Sequence, residues 1–253
     1  MIIDSHCHID FADFDNDRQQ VIERAMASGV SQMIVPGVQQ NSWSRIRDYC
    51  QQFDILHPCY GLHPYFIEQH TPADLDLLRN WLEENTAVAV GECGLDFFLK
   101  ELDRQQQQFY FEQQLQIALE FNLPVVVHAR KSTEAVIDAI KKRPGLRGMI
   151  HSYSGSYEQA IKLINLNFYL SFGGPVSFEK ATRLRKLVQS LPIESLLVET
   201  DAPDQAGQNA AGQRNEPAFI REVVATIATL HQLDFDEVAQ ITRENANQLF
   251  QLV

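Results

Sequence analysis

PVVVHAR, at residues 124–130, is a short apolar run that gains a histidine and an arginine only at its end. Longer stretches with helical spacing of apolar residues flank it, at 104–122 and 133–142. An apolar run of this length between amphipathic helices is typical of a parallel strand that is buried on both faces. The segment therefore predicts one strand of an α/β protein together with its two neighbouring helices.

The same alternation continues along the chain of 253 residues. Eight runs are predicted as strands: MIIDSH at 1–6, SQMIVPG at 31–37, ILHPCYGLH at 55–63, AVAVGE at 87–92, PVVVHA at 124–129, GMIHS at 148–152, FYLSFGG at 168–174 and SLLVETD at 195–201. Helical patterns include those at 17–29, 75–85, 104–122, 133–142, 157–166, 179–190, 217–230 and 235–250. Eight strands in about 250 residues predict an α/β fold of the TIM-type (β/α)8 barrel class.

A doubly wound parallel sheet is the competing fold. Its dinucleotide-binding form needs G-x-G-x-x-G, but VGECG at 90–94 lacks that spacing, and no Walker sequence is present. We therefore expect the barrel, as a single domain over residues 1–253.

Charge and hydropathy restrict the function classes. The net charge of -12 and the pI of about 5.1 argue against a protein that coats nucleic acid, but they leave room for an enzyme that acts at a nucleic-acid end. No apolar run approaches the ~20 residues that span a bilayer, and the first ten residues carry Asp4 and no basic residue. We expect a cytoplasmic protein without a membrane association or an obligate protein partner.

Histidines and carboxylates occur at the C-terminal ends of six of the eight runs. They are His6, His8, His63, Glu92, His128, His151, Glu199 and Asp201. In a barrel these strand ends open at one mouth, where active sites of the fold lie. The spacing of two residues also predicts that His6 and His8 share one face, and that Glu199 and Asp201 do so too.

Four imidazoles with a glutamate and an aspartate suit divalent ions: Zn, Mn, Ni, Co, or Mg where carboxylates dominate. Six ligands exceed what one ion with an open position needs, so we predict two ions, roughly 3.5–4 Å apart, with Glu92 as the bridge. The predicted ligands are His6, His8, Glu92, His128, His151 and Asp201. Any one of them alone has a simpler interpretation, such as a packed histidine or a helix N-cap at Asp201.

Other polar residues have weaker placement. His57, His70 and His231 do not follow the strand-end pattern and are interpreted as structural. His63 stays open between a substrate contact and a loop residue. Arg130 and Asp96 stay open between an ion pair that shapes the mouth and direct substrate contact.

Seven motifs, in order, resemble the TatD family of metal-dependent deoxyribonucleases, which belong to the amidohydrolase-like barrels. They are DSHCHID at 4–10, GLHP at 61–64, VGECGLDF at 90–97, PVVVHAR at 124–130, HSYSG at 151–155, ETDAP at 199–203 and RNEP at 214–217. The resemblance implies a TIM-type barrel and DNA hydrolysis. It also implies that His6, His8, Glu92 and Asp201 hold one ion, and that Glu92, His128 and His151 hold the other.

Two segments depart from the family pattern. The family commonly has His-Cys-Phe-Ser-Gly where this chain has HSYSG at 151–155, and it usually has Tyr-Leu where this chain has Asp204 and Gln205. We expect an aromatic wall to be lost and an acidic residue to replace it. A carboxylate there would repel phosphate unless a metal or a cation offsets it.

The leading hypothesis is hydrolysis of a phosphoester, deoxyribonuclease-like and at DNA ends, by a metal-activated water at a binuclear site. The residues expected to act are Asp201 as proton acceptor, Glu92 as bridge, Glu199 orienting the ligands, His63 at the substrate, and Arg130, Lys131 and Arg214 near phosphate. Two alternatives remain open. One is hydrolysis of a small-molecule amide, lactone or ester by the same site, and the other is a metal-stabilised binding protein without catalysis.

Overall fold

The computed structural model describes residues 1–252 and contains one sheet of eight strands, each hydrogen-bonded in parallel to the next in sequence. The strands are β1 Ile2–Asp4, β2 Val30–Pro36, β3 Leu56–Tyr60, β4 Ala89–Asp96, β5 Val125–Arg130, β6 Gly148–Ile150, β7 Phe168–Phe172 and β8 Leu196–Val198. Each overlaps one predicted run, and together they form a nearly closed barrel. The predicted TIM-type (β/α)8 fold is confirmed, although residue 253 of the predicted domain lies outside the described residues.

Nine α-helices accompany the strands in residues 1–252. They are α1 Arg18–Ala27, α2 Trp43–Gln52, α3 Pro72–Glu84, α4 Arg104–Glu120, α5 Thr133–Lys141, α6 Tyr157–Ile164, α7 Thr182–Ser190, α8 Ile220–His231 and α9 Phe235–Phe250. The apolar spacing did not indicate α2, a mostly polar segment that buries Trp43 and Ile46. Within the described part of the chain, no helix combines the length and the apolar character needed to cross a bilayer.

The interior of the barrel has an apolar floor below its mouth. Residues from seven strands form it with the end of α9: Ile3, Ile34, Cys59, Ala89, Val126, Met149, Leu197, Ala246, Leu249 and Phe250. Val126 and Met149 each lie two residues before a predicted ligand histidine. Alternate residues of a strand share a face, so the next inward-facing residues after this floor lie at the mouth of the barrel.

Backbone hydrogen bonds beyond the sheet ladder join the segment that follows the first strand to the segment that follows the last strand. The Ser5 N–H donates to the Val198 carbonyl at 3.0 Å, the Asp201 N–H donates to the His6 carbonyl at 2.9 Å, and the His8 N–H donates to that of Ala202 at 2.9 Å. The residues that follow β1 and β8 are therefore held together, and these segments carry three of the predicted ligands.

Strands β4 and β5 approach closely around a bulge. The register pairs Val90 with Val125 but Cys93 with Val127, so β4 has one extra residue beside Glu92. Gly94 has a φ of +148°, and a Cβ built on it would lie 2.0 Å from the carbonyl oxygen of His128. Only glycine fits at this position, and the fit sets the distance between Glu92 and His128.

Replacing Gly94 with alanine is expected to lower the free energy of unfolding by about 3 kcal/mol or more, because the methyl group meets backbone and φ is unfavourable. The matched control is Gly145→Ala, where φ is +88° and no atom lies within 4 Å of the position that the added Cβ would take. That variant should lose only about 1 kcal/mol. Urea unfolding of the metal-free proteins measures both, and equal losses would contradict the close approach.

Candidate metal centre

The predicted ligand side chains meet at the C-terminal end of the barrel, where all of them except the fully buried His6 line one cavity. His6 and His8 follow β1, Glu92 lies within β4, His128 lies in β5 and His151 follows β6. Glu199 and Asp201 follow β8, and Asp201 has a left-handed backbone with φ of 56°. The prediction of shared faces assumed that the strands continue through these residues. The observed loops bring His6 and His8 together by another route, with their Nε2 atoms 3.1 Å apart.

Four ligand atoms form the first set: His6 Nε2, His8 Nε2, Glu92 Oε2 and Asp201 Oδ1. His6 Nε2 lies 3.3 Å from Glu92 Oε2 and 3.4 Å from Asp201 Oδ1, and the same distances from His8 Nε2 are 3.5 Å and 3.6 Å. A tetrahedral ion with bonds of about 2.0–2.1 Å holds its ligands about 3.3–3.4 Å apart. The first set therefore fits a divalent ion.

The second set surrounds the other oxygen of Glu92. Glu92 Oε1 lies 3.0 Å from His151 Nε2 and 3.3 Å from His128 Nδ1, and these two nitrogens are 3.1 Å apart. Glu92 and His151 are buried, and His128 is largely buried. The Glu92 carboxylate thus presents one oxygen to each set.

His128 is oriented for this role by Asp96. Its Nε2 lies 3.2 Å from Asp96 Oδ2, so Nε2 carries the proton and Nδ1 offers its lone pair to the second set. Arg130 Nη1 is 3.9 Å from the same carboxylate, and the half-exposed guanidinium lies 3.9 Å from the centre of the Phe98 ring. The main partner of Asp96 is therefore His128, and Arg130 remains available at the mouth.

The tautomer of His63 differs from the one that a metal ligand needs. Its Nδ1 accepts the Tyr65 backbone N–H at 3.0 Å, so its Nε2 must carry the proton that points to Glu92 Oε1, 3.0 Å away. The His63 carbonyl in turn lies 3.0 Å from His70 Nε2, a contact that sequence reasoning missed. Burial lowers the pKa of His63 to about 4, so the ring is neutral at pH 7. His63 therefore acts as a hydrogen-bond donor.

Glu199 supports the site from below. It is fully buried, its Oε1 accepts the Ser152 backbone N–H at 2.6 Å, and the same oxygen is 3.7 Å from His151 Nδ1. Its other oxygen and His151 Nδ1 have no hydrogen-bond partner among the described residues. This placement agrees with an orienting role beside His151.

The charges of the centre are strongly coupled. Burial opposes ionisation of Glu92, but the surrounding imidazoles, His63 and His151 foremost, outweigh it and hold the pKa of Glu92 well below its usual value. Burial would lower the pKa of His8, but Glu92 and Asp201 raise it to about 9. Carboxylates likewise raise the pKa of His128 and of His151. In the protein without metal, protonated imidazoles therefore balance the negative charge of the buried carboxylates. Bound divalent ions would supply this positive charge instead.

The predicted phosphate-binding cations do not all reach the cavity. Arg130 lines it, whereas Lys131 is exposed and is not among the lining residues. Arg214 donates to both oxygens of Asp17, at 2.8 Å and 2.7 Å, and its side chain lies over Phe14. The roles of Lys131 and Arg214 toward substrate remain predictions.

The cavity has a volume of about 580 Å³ and contains aromatic side chains that sequence reasoning did not assign to it. Phe11, Tyr65 and Phe66 line it, and Phe11 stacks on His8 with ring centres 4.5 Å apart. Tyr65 and Phe66 directly follow the GLHP motif, which could have indicated them. Asp204 also lines the cavity, and desolvation and the nearby Asp201 raise its pKa. The expected acidic residue therefore lines the cavity. The expected loss of an aromatic wall is offset, because aromatic side chains from other loops line the same cavity.

Comparison with known proteins gives consistent matches over the whole chain. Residues 3–251 match the family model described as TatD related DNase. YabD of Bacillus subtilis, described as a metal-dependent hydrolase, is 35% identical over 100% of both chains. YcfH of Escherichia coli, described in the same way, is 33% identical over 99% of this chain and 96% of its own. The crystal structure of the Escherichia coli TatD homologue YjjV superposes with a TM-score of 0.96 at 33% identity, covering 100% of this chain and 98% of that one.

Loading the centre with Zn²⁺ is expected to release protons at pH 7, because His8 has a pKa of about 9 and the pKa values of His128 and His151 are also raised, so these rings must lose protons before they bind. Raised pKa values mean protonated ligands at low pH, so the apparent affinity should increase from pH 6 to pH 9. Titration calorimetry in two buffers of different ionisation enthalpy counts the protons. Heats that do not depend on the buffer would contradict this charge balance.

Proposed function

The chain belongs to the TatD-related DNase family, and we propose that it is a metal-dependent hydrolase that cleaves phosphoester bonds at DNA ends. The observation that carries the proposal is the division of the Glu92 carboxylate, with Oε2 facing His6 and His8 and Oε1 facing His128 and His151. A buried carboxylate shared in this way suits a bridge between two divalent ions, drawn from Zn, Mn, Mg, Ni and Co. Phosphatases and nucleases are among the enzymes that use two-metal centres, which stabilise the attacking and the leaving oxygen.

Divalent ions in the two sets would supply an acidified water and positive charge beside the phosphoryl oxygens. The chain itself then provides the proton acceptor. Asp201 is suited to this role because its carboxylate borders the cavity, and its Oδ2 accepts one hydrogen bond, from Gln205, and keeps a second lone pair for a proton. Glu199 and Asp96 keep the ligand rings in place, through the Ser152 backbone and through His128 Nε2.

His63 is placed to stabilise negative charge on the substrate. Its Nε2–H lies at the cavity wall and donates to Glu92 Oε1. With Glu92 Oε1 held in a ligand set, the His63 N–H would be able to donate to a phosphoryl oxygen, and the ring is neutral because burial lowers its pKa to about 4. His63 is therefore proposed as a catalytic donor outside the ligand set.

The form of the cavity favours a single-stranded end as substrate. Its volume of about 580 Å³ suits one nucleotide or a few, and Tyr65 and Phe66 offer exposed or half-exposed rings for bases. Stacking of a base on an aromatic ring contributes about 1–3 kcal/mol without depending on sequence. Such local contacts suit a protein whose net charge of -12 opposes long-range attraction to DNA.

One observation favours the small-molecule alternative as a second candidate. Among the described residues that line the cavity, Arg130 is the single lysine or arginine, and Asp204 adds a carboxylate that belongs to neither ligand set. An uncharged lactone, amide or ester would be repelled less than a phosphate by Asp204. The same metal centre could hydrolyse such a substrate.

Both candidates can be separated with one substrate panel. We expect the metal-loaded protein to shorten single-stranded oligonucleotides labelled at the 3′ or the 5′ end, and to leave generic lactones and carboxylic esters intact. Glu92→Gln, which removes the charge of the shared carboxylate, should lose metal and cleavage together. Lactone hydrolysis without any phosphoester cleavage would move the assignment to the second candidate, and metal binding without any turnover would reject both.

Substituting His63 separates the ligand role from the donor role. We expect His63→Gln to bind Zn²⁺ within about threefold of the wild-type affinity, and to lose about 100-fold in kcat, because a charge-stabilising donor is removed. His128→Gln is the matched comparison, since that residue contributes a ligand atom and should lose affinity. Loss of metal by His63→Gln to the same extent as by His128→Gln would show that His63 is a ligand.

A further inference from the structure

We propose, resting on the metal-dependent function above, that Gln205 is a positioning residue that holds Asp201 in a one-oxygen binding mode, and that Ser152 fixes Gln205. Both residues lie at positions where the sequence departs from the usual TatD pattern. They stand on different loops, one after β6 and the other after β8. Their contact joins two loops that are 53 residues apart in sequence.

Three hydrogen bonds connect the two carboxylates that follow β8. The Gln205 Nε2 donates to Asp201 Oδ2. The Ser152 hydroxyl donates to Gln205 Oε1 at 2.8 Å, and the Ser152 backbone N–H donates to Glu199 Oε1 at 2.6 Å. The network thus runs from Glu199, beside His151, to Asp201, beside His6 and His8.

The donors and acceptors of this network admit only one arrangement. An ionised carboxylate can only accept, so the amide nitrogen of Gln205 must face Asp201. The amide oxygen then faces Ser152, and the serine hydroxyl has to donate. Without the Ser152 hydroxyl, the Gln205 side chain would lose the contact that selects this orientation.

The network divides the two oxygens of Asp201 between separate tasks. Oδ1 lies 3.4 Å from His6 Nε2 and 3.6 Å from His8 Nε2, within the first ligand set, whereas Oδ2 is occupied by Gln205. The carboxylate cannot turn to offer both oxygens to an ion without breaking its bond to Gln205. With one Asp201 oxygen held by Gln205, the first ligand set would leave a position for water or substrate on a bound ion.

The backbone of the three residues is also specialised. Ser152, Asp201 and Gln205 all have left-handed φ values, of 45°, 56° and 53°. Non-glycine residues occupy this region infrequently, and they do so where surrounding contacts hold them. The loop backbone therefore fixes the directions of the three side chains, and the hydrogen-bond network is part of the folded structure of the site.

The test is a Co²⁺ titration of the metal-free protein, followed by visible absorption. Gln205→Leu keeps the size of the side chain but removes the amide, and we expect about a 10- to 100-fold loss of Co²⁺ affinity together with a changed absorption spectrum. Ser152→Ala should shift both in the same direction by a smaller factor. In the Gln205→Leu background, Ser152→Ala should have no further effect, because its partner is already absent.

Gln213→Leu is the matched control, since Gln213 is exposed and does not line the cavity, and it should retain the wild-type affinity and spectrum. Wild-type affinity and spectrum in Gln205→Leu would overturn the proposal, and so would independent, additive effects of the two substitutions. If Gln205→Leu fails to fold by circular dichroism, an unchanged Co²⁺ affinity and spectrum in Ser152→Ala overturn it instead. Expected Co²⁺ results without any phosphoester cleavage would contradict the proposed function but support this role of Gln205.

Discussion

The structure depends on one buried carboxylate surrounded by imidazoles. Glu92 is 2% exposed, and four histidine nitrogens lie within 3.3 Å of its two oxygens. A buried charge is unfavourable unless it is paired, so the side chains around Glu92 must converge on it. The bulge in β4, the close approach at Gly94 and the tautomers of His63 and His128 all serve that convergence.

Two kinds of residue surround this carboxylate, and their hydrogen bonds distinguish them. His128 donates a hydrogen bond from Nε2–H to Asp96 and turns the lone pair of Nδ1 inward, whereas His63 accepts the Tyr65 N–H at Nδ1 and turns its Nε2–H inward. The outer partners therefore decide which imidazole can bind an ion and which can only donate. The same logic extends to Asp201, where Gln205 occupies one oxygen and leaves the other for the first ligand set.

Much of the fold, and the convergence of the candidate ligands, could be predicted because both follow from position along the chain. Apolar runs between helical patterns indicated all eight strands, and the polar ends of six of these runs indicated the residues that meet at the mouth. The bulge at Glu92 and the loop that carries His6 and His8 have no periodicity, so their geometry could not be predicted. The pairing of Arg214 with Asp17, and that of Gln205 with Ser152, joins residues from separate loops, and no local pattern encodes either contact.

The hydrogen bonds between the segments that follow β1 and β8 determine when the first ligand set can form during synthesis and folding. His6 and His8 are synthesised well before Asp201 and before the Ala202 carbonyl to which His8 donates, because strands β2 to β8 and most of the helices lie between them. Contacts between such distant positions form late in folding, because a long loop must close before they are gained. The first ligand set is therefore complete only after β8 and the residues that follow it have been made, so a chain that stops before β8 cannot bind that ion in its final geometry.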